Sequence, residues 1–364
     1  MDAKFYPGKT LKLTGTILFL LLCLGLGSTA LMSDWFTGRH AGQFASLTLP
    51  LVVCALMTGC IGYWAVPILR ALKAGQVIRE DGPQAHLKKA GTPTMGGIFF
   101  IPPAIAVAVS WSGFSPEVMA VSAMTLAYAA IGWLDDSKIL WRKSNQGISP
   151  RTKLLLQWSV AALFCIWLAS SQPAGMTTVS LPFGFLLPLG FLFWPLAWFV
   201  PVAESNATNL TDGVDGLAAG VGAIVLLGLG VLAYPAAPGL MVFAACLSGA
   251  FLGFLVHNRN PAQVFMGNTG SLALGGALAG VALLSNTLWA LLIAGGIFFV
   301  ETLSVIAQVG YYKATKGPDG KGKRLFKMAP FHHHLELSGW SETQVVGVFY
   351  TVTGILTLLC VAIH

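Results

Sequence analysis

Apolar stretches, each about as long as the 20 or so residues a helix needs to cross a hydrocarbon core, follow one another along the whole of this chain. They lie near 16–33, 46–69, 96–112, 117–134, 154–170, 184–202, 214–234, 238–256, 271–284, 288–310 and 343–363. In lipid every backbone N–H and C=O has to be satisfied internally, which makes the α-helix the natural form for unbroken runs of this kind. Only 10% of the 364 residues are charged and 55% are hydrophobic, against roughly a quarter charged in a soluble domain. The sequence therefore predicts an all-α, polytopic integral membrane protein with about eleven transmembrane helices.

The first run follows Lys4, Lys9 and Lys12 as a secretory signal would, but no small-residue cleavage site comes after it, so it reads as a retained helix. Alternating the runs from an N-terminus inside the cell places 20 of the 21 Lys and Arg on the inner side, with only Arg39 outside. That asymmetry is the one that orients membrane proteins. The outward loops are short, and SSQPAGMTTVSLPFG is expected to form a small external hairpin. The six cysteines sit in or at the ends of apolar runs without metal-type spacing and read as packing residues. No low-complexity tract, repeat or long linker divides the chain, so one helical domain is expected.

Polar sequence gathers in five inward segments: REDGPQAHLKKAGTPTMGG, DDSKILWRKSNQGISPRTK, ESNATNLTDGVDG, HNRNPAQVFMGNTGS and KGKRLFKMAPFHHHLELSGW. Asp135, Asp136, Asp212 and Asp215 fall at expected helix ends or in tight loops, where carboxylates can collect a hard cation such as magnesium. Lys88, Lys89, Lys138, Arg142, Lys143, Arg151 and Lys153 supply charge suited to phosphate oxygens. Acid for metal beside base for phosphate suggests phosphoryl transfer. The simpler explanation, lysines meeting anionic headgroups and aspartates capping helices, suffices for the lysines but not for four aspartates in two short motifs.

In NLTDGVDGLAAG, Asn209, Thr211 and Asp212 can cap a following helix, which leaves Asp215 unexplained. VFMGNTGS sets Asn268 and Thr269 between glycines before a helix, and Phe265 can anchor at the interface or stack on a base. His332, His333 and His334 are adjacent; neighbours on a helix point about 100° apart, so they cannot share one metal, and one or two are better placed to meet a phosphate or move a proton. As loop residues, they and Lys89 are expected to contribute little to stability. Glu301, deep in an apolar run, is either a functional acid or a partner for Gln308 or a neighbouring helix.

GTPTMGG, the DD pair, NLTDGVDGLA, VFMGNTGSLALGG and APFHHHLE, in that order over about 46–363, resemble the motif set of the phospho-N-acetylmuramoyl-pentapeptide transferases. This branch lies within the polyprenyl-phosphate N-acetylhexosamine-1-phosphate transferases. The resemblance implies a magnesium-dependent enzyme of the bacterial inner membrane, with its active site facing the cytoplasm. Its substrates would be UDP-N-acetylmuramoyl-pentapeptide and undecaprenyl phosphate, its products lipid I and UMP. It implies catalytic roles for Asp135, Asp136, Asp215, His332 and His333, and metal ligation by Asp135, Asp136, Asp215 and Asn268. It also implies substrate contacts from Lys89, Thr94, Lys138, Lys153, Asn209, Asp212, Asn258, Phe265 and His334. No nucleic-acid partner is expected, membrane lipids surround the chain, and a homodimer is allowed.

Two departures from the family pattern stand out. The pattern has ten helices, so residues 1–45 would hold an added helix and external loop ahead of a catalytic domain at 46–364. An aspartate usually stands where this chain has Asn268; an amide oxygen still ligates magnesium, with less charge. A related sugar-phosphate transferase is the alternative enzyme. A transporter fits less well, since transporters concentrate polar groups near the bilayer midplane.

Overall fold

A computed structural model of the chain describes residues 13–40, 42–72, 89, 91–142, 147–234 and 236–364. Its elements, in order, are α1 (Gly15–Phe36), α2 (Thr48–Ala71), α3 (Gly97–Trp111), α4 (Pro116–Arg142), α5 (Pro150–Ser171), β1 (Thr178–Ser180), β2 (Leu186–Pro188), α6 (Phe193–Thr211), α7 (Leu217–Ala233), α8 (Pro238–Asn258), α9 (Gly267–Leu284), α10 (Leu288–Ala294), α11 (Gly296–Ala314), α12 (Phe331–Glu336) and α13 (Glu342–Ala362). The chain is an all-α, multi-pass membrane protein.

Each of the eleven apolar runs meets helix, the tenth broken into α10 and α11 at an angle of 71°. Among the described residues seven helices are long and apolar enough to cross a membrane, and the bent pair makes an eighth. The remaining runs form α3 and α7, of 15 and 17 residues, and α6, whose second half is the polar ESNATNLT. The reason is visible in α7, where every residue but Val231 is buried. A helix sheathed by protein is not held to the length lipid demands. Burial grades outward: 89% of the most apolar window of α8 and 83% of that of α9 are buried, against 28% for α1 and 22% for α5. Thus α7, α8 and α9 form the centre, and α1 and α5 turn toward lipid.

Two boundaries differ from expectation in ways that matter below. α4 runs on to Arg142, so Asp135 and Asp136 lie inside a helix. α6 starts at Phe193 and continues through the polar run to Thr211. Its hydroxyls make this possible by returning to their own helix: Ser205 donates to the Val202 carbonyl at 3.1 Å, Thr208 to Glu204 at 3.0 Å and Thr211 to Ala207 at 2.8 Å. Asn209 and Thr211 therefore do not cap α7, whose N-cap is Gly216 at φ +79°. The expected hairpin is present: β1 and β2 pair antiparallel, and Asn286 holds it by donating to the Thr178 carbonyl at 2.9 Å and accepting the Ser180 N–H at 3.1 Å.

At the hairpin end of the bundle, Asp34 of α1 accepts the N–H groups of Leu47 and Thr48, both at 3.0 Å, and the Thr48 hydroxyl at 2.7 Å. It thereby caps α2. Arg39 Nε donates to Asp34 at 2.9 Å, and its guanidinium lies 4.0 Å from the Tyr234 ring centroid. The start of α1 lies at the opposite end. A Cβ on Gly15 would collide with the Asn260 backbone, and Arg259 reaches Thr16 at 3.3 Å.

Candidate active site

Asp136 sits on α4 but serves a different helix. Its Oδ1 accepts the Asn268 backbone N–H at 3.1 Å and the Asn268 amide at 2.9 Å, while Oδ2 accepts the Thr269 N–H at 3.0 Å and the Thr269 hydroxyl at 2.7 Å. The first N–H groups of a helix have no partner within it, and a carboxylate suits its positive end. So Asp136 caps α9 from outside. The approach requires Gly132, one turn earlier, because a Cβ there would collide with the Asn268 carbonyl.

Asp135 faces the other way. Its Oδ1 accepts the Ile148 N–H at 2.8 Å and its Oδ2 meets the Lys153 ammonium at 3.3 Å. The same ammonium lies 3.2 Å from Asn268 Oδ1 and 3.4 Å from Asn209 Oδ1. Oxygens from α4, α6 and α9 thus converge on one cation. Asn209 also donates its amide to Asn268 Oδ1 at 2.6 Å and to Ser271 at 2.8 Å. Asn268 is the link: it donates to Asp136 and accepts from Lys153 and Asn209. An ionised aspartate could accept but not donate.

A second cluster surrounds Asp215. Its Oδ1 pairs with Lys89 at 2.8 Å, and its Oδ2 accepts from the Asn260 amide at 3.1 Å and the Ala262 N–H at 3.0 Å. Lys89 also pairs with Glu342 at 2.7 Å, and Asn260 donates to Glu342 at 3.0 Å. Burial alone would lower the Lys89 pKa, but Asp215 and then Glu342 outweigh it and raise it. Asp212, between the clusters, has no hydrogen bond among the described residues. Part of its surface meets solvent, yet its dense surroundings, with the charges of Asp136 and Asp215 added, push its carboxyl up to about 7.

The histidines diverge on the short α12. His332 is fully buried and pairs with Glu301, itself fully buried, at 3.0 Å. His333 pairs with Glu336 at 2.8 Å. His334 accepts the Lys327 N–H at 3.2 Å and stacks on Phe331. The expectation of loop histidines fails, since all three lie on α12 and His332 is buried; of the two partners expected for Glu301, the one found is the neighbouring helix, through His332, and not Gln308. Gln308 instead accepts the N–H groups of Leu325 and Phe326 at 3.0 and 2.8 Å.

Other expected residues divide similarly. Thr94 is buried beside Gly267, and its GTPTMGG segment pairs with the VFMG turn: Phe265 donates to the Pro93 carbonyl at 2.8 Å and Gly96 to the Phe265 carbonyl at 2.9 Å. Phe265 itself is half-buried. Asn258 is buried, accepting the Gly216 N–H at 3.1 Å and donating to the Val264 carbonyl at 2.8 Å, so both ends of its amide serve the scaffold. Lys138, one turn beyond Asp135, makes no hydrogen bond among the described residues. Lys88, Lys143 and the side chain of Arg142 lie outside the described residues. Sequence reasoning missed Glu342 and Asn260. For Glu342 the signal was present: the Ser341–Gln344 capping box fixes it in the first turn of α13.

With this geometry in view, comparison with known proteins is decisive. The chain is 67% identical over 363 residues to the phospho-N-acetylmuramoyl-pentapeptide-transferase of Nostoc punctiforme, covering 100% of both chains. It belongs to the phospho-N-acetylmuramoyl-pentapeptide-transferase family. The enzyme of that name from Nostoc sp. is 66% identical over 364 residues, covering 100% of this chain and 99% of its own. That from Gloeothece citriformis is 59% identical over 360 residues, covering 99% of each. These alignments cover the residues of α1 as well as the rest of the chain. Glycosyl transferase family 4 matches residues 118–286, and phospho-N-acetylmuramoyl-pentapeptide-transferase signature 1 matches residues 89–101, from Lys89 into α3.

Proposed function

We propose that the chain moves the phospho-N-acetylmuramoyl-pentapeptide group of UDP-N-acetylmuramoyl-pentapeptide onto undecaprenyl phosphate, giving lipid I and UMP for peptidoglycan synthesis. Family membership supports the reaction class. The observation that carries it is the convergence of Asp135, Asn209 and Asn268 on the Lys153 ammonium at one end of a lipid-facing bundle. A phosphate anchored by a lipid tail and a soluble nucleotide can meet at such a place. Lys and Arg crowd the same end, which supports a site facing the cytoplasm across the bacterial inner membrane.

Magnesium is the proposed cofactor, and the donors fit it in kind: hard oxygens of Asp135, Asn209 and Asn268 already gather around a cation. Asp135, Asn268 and Asp212 would hold it. Asp135 and Asn268 each have an oxygen that already meets the Lys153 cation. The oxygens of Asp136, by contrast, are taken by four N–H and O–H donors and those of Asp215 by Lys89, Asn260 and Ala262, so these two support the ligands from behind. The metal would supply positive charge to phosphate oxygens as the bond to phosphorus changes hands.

The protein's own residues meet the remaining demands. A phosphate monoester has a second pKa near 6 and is mostly dianionic at neutral pH, so the acceptor needs no strong base. Repulsion between that dianion and a diphosphate amounts to several kcal/mol, on the order of the contact energy of like charges in a partly dry site. Lys153 and Lys89 offset it. The acceptor oxygen attacks the phosphorus linked to the sugar, the bond to the bridging diphosphate oxygen breaks, and UMP leaves with that electron pair. A phosphorylated aspartate trapped without lipid would overturn this direct path.

The test is UMP release by reconstituted protein from both natural substrates as magnesium is titrated. Asp135→Ala is expected to lose at least about a hundredfold in turnover, roughly 2.7 kcal/mol of transition-state stabilisation, with its elution profile unchanged. Equal turnover when UDP-N-acetylglucosamine replaces the muramoyl substrate would assign the chain to the alternative transferase.

A further inference from the structure

The pair formed by Glu301 of α11 and His332 of α12 is not absorbed by the cation cluster. Both side chains are wholly buried. One oxygen of Glu301 accepts the His332 backbone N–H at 3.1 Å, and the other meets the ring Nδ1 at 3.0 Å. His332 is thus held at two points, by its backbone N–H and by Nδ1. The other ring nitrogen, Nε2, is buried without a hydrogen-bond partner among the described residues. Nε2 faces the turn that joins Asp212 to Asp215: a Cβ on Gly213 would collide with it.

A pair serving only to pin α12 against α11 has no use for that second nitrogen, and a buried polar atom without a partner calls for an explanation. Carboxylates that hold one nitrogen of a histidine commonly do so to direct the other. We infer that Glu301 is a positioning residue for the transfer reaction: it aims Nε2 of His332 at the Asp212–Asp215 turn, where a group of the bound nucleotide substrate becomes its missing partner. Gly213 and Gly216 flank the turn and let its backbone give way when substrate enters. Glu301 itself never touches substrate. This inference rests on the transfer reaction proposed above.

The test is a double-mutant cycle in the full chain, reading kcat and KM for the nucleotide substrate by UMP release, with melting temperature measured in parallel. Glu301→Gln and His332→Gln are each expected to lower kcat at least about tenfold while KM moves less than about threefold. Combining them costs no more than the worse single change, because Glu301 acts through His332. Glu301→Asp, which keeps the carboxylate, recovers a large part of the loss. Parent turnover in Glu301→Gln, or losses that multiply in the double variant, overturns the inference. So does a kcat loss in Glu301→Asp as deep as in Glu301→Gln. Should Glu301→Gln fail to fold, His332→Gln decides, since parent turnover without the ring removes any role for its positioning. A parent enzyme that releases no UMP overturns the transfer reading itself, a result separate from any difference among variants.

Discussion

The two ends of the bundle use one device for different purposes. At the hairpin end Asp34 of α1 takes two successive N–H groups and a threonine hydroxyl at the start of α2. At the other end Asp136 of α4 takes two successive N–H groups, a threonine hydroxyl and an amide at the start of α9. Beside Asp34 stands a single arginine, which donates to Ser33 at 3.3 Å, lies over a tyrosine ring and leaves its Nη1 buried without a hydrogen-bond partner among the described residues. At the Asp136 end stand three oxygens around an ammonium and, among the described residues, a carboxylate without a hydrogen bond and a histidine nitrogen without a partner. A capped helix start is scaffold; what sets the Asp136 end apart as the candidate site is that oxygens from three helices converge there on one cation.

Substitution should separate the two. Asp136→Ala strands four donors, two of them backbone, and is expected to cost about 3 kcal/mol or more in stability while turnover falls at least about a hundredfold. Asp34→Ala should cost about 2–4 kcal/mol, yet turnover per folded molecule should stay within about twofold of the parent. Melting curves and UMP release on the same preparations measure both, and an equal turnover loss at Asp34 would break the distinction. Asn268→Asp comes next: it replaces the donor facing Asp136 by a like charge, so the melting temperature without magnesium should fall by a few degrees, equivalent to about 1–3 kcal/mol. Added magnesium should recover much of that shift; recovery by sodium chloride alone would point to simple screening. The smallest effect is expected at Glu342→Gln, about threefold in KM for the nucleotide, because Asp215 still holds Lys89.

Much of this was legible in the sequence. Apolar runs located every long helix, and aspartates and lysines in polar segments pointed to the site, because burial of charge is too costly in lipid to be casual. Helix ends were less legible. Asp135 and Asp136 seemed to close a helix because hydropathy falls there, whereas the backbone continues to Arg142. The serines and threonines of α6 likewise look like loop residues until their bonds to preceding carbonyls are seen. Nor could composition tell that Asp136 is spent on a helix cap while its neighbour faces a cation, since adjacent residues on a helix point in different directions. His332 was misjudged for a related reason: three histidines in a row suggest a solvated loop, and only the fold buries one of them against Glu301.

The placement of α1 has a practical consequence. Gly15 bears on the Asn260 backbone, and the Asn260 side chain holds both Asp215 and Glu342. The other end of the chain finishes beside the hairpin, where the Ile363 carbonyl accepts the Phe183 N–H at 3.3 Å. A bulky group introduced at Gly15 therefore presses on the loop that grips Asp215 and Glu342, whereas one introduced at Ile363 lies at the hairpin end of the bundle, away from them. Of the two, the hairpin end is the one that tolerates modification without touching the acidic cluster.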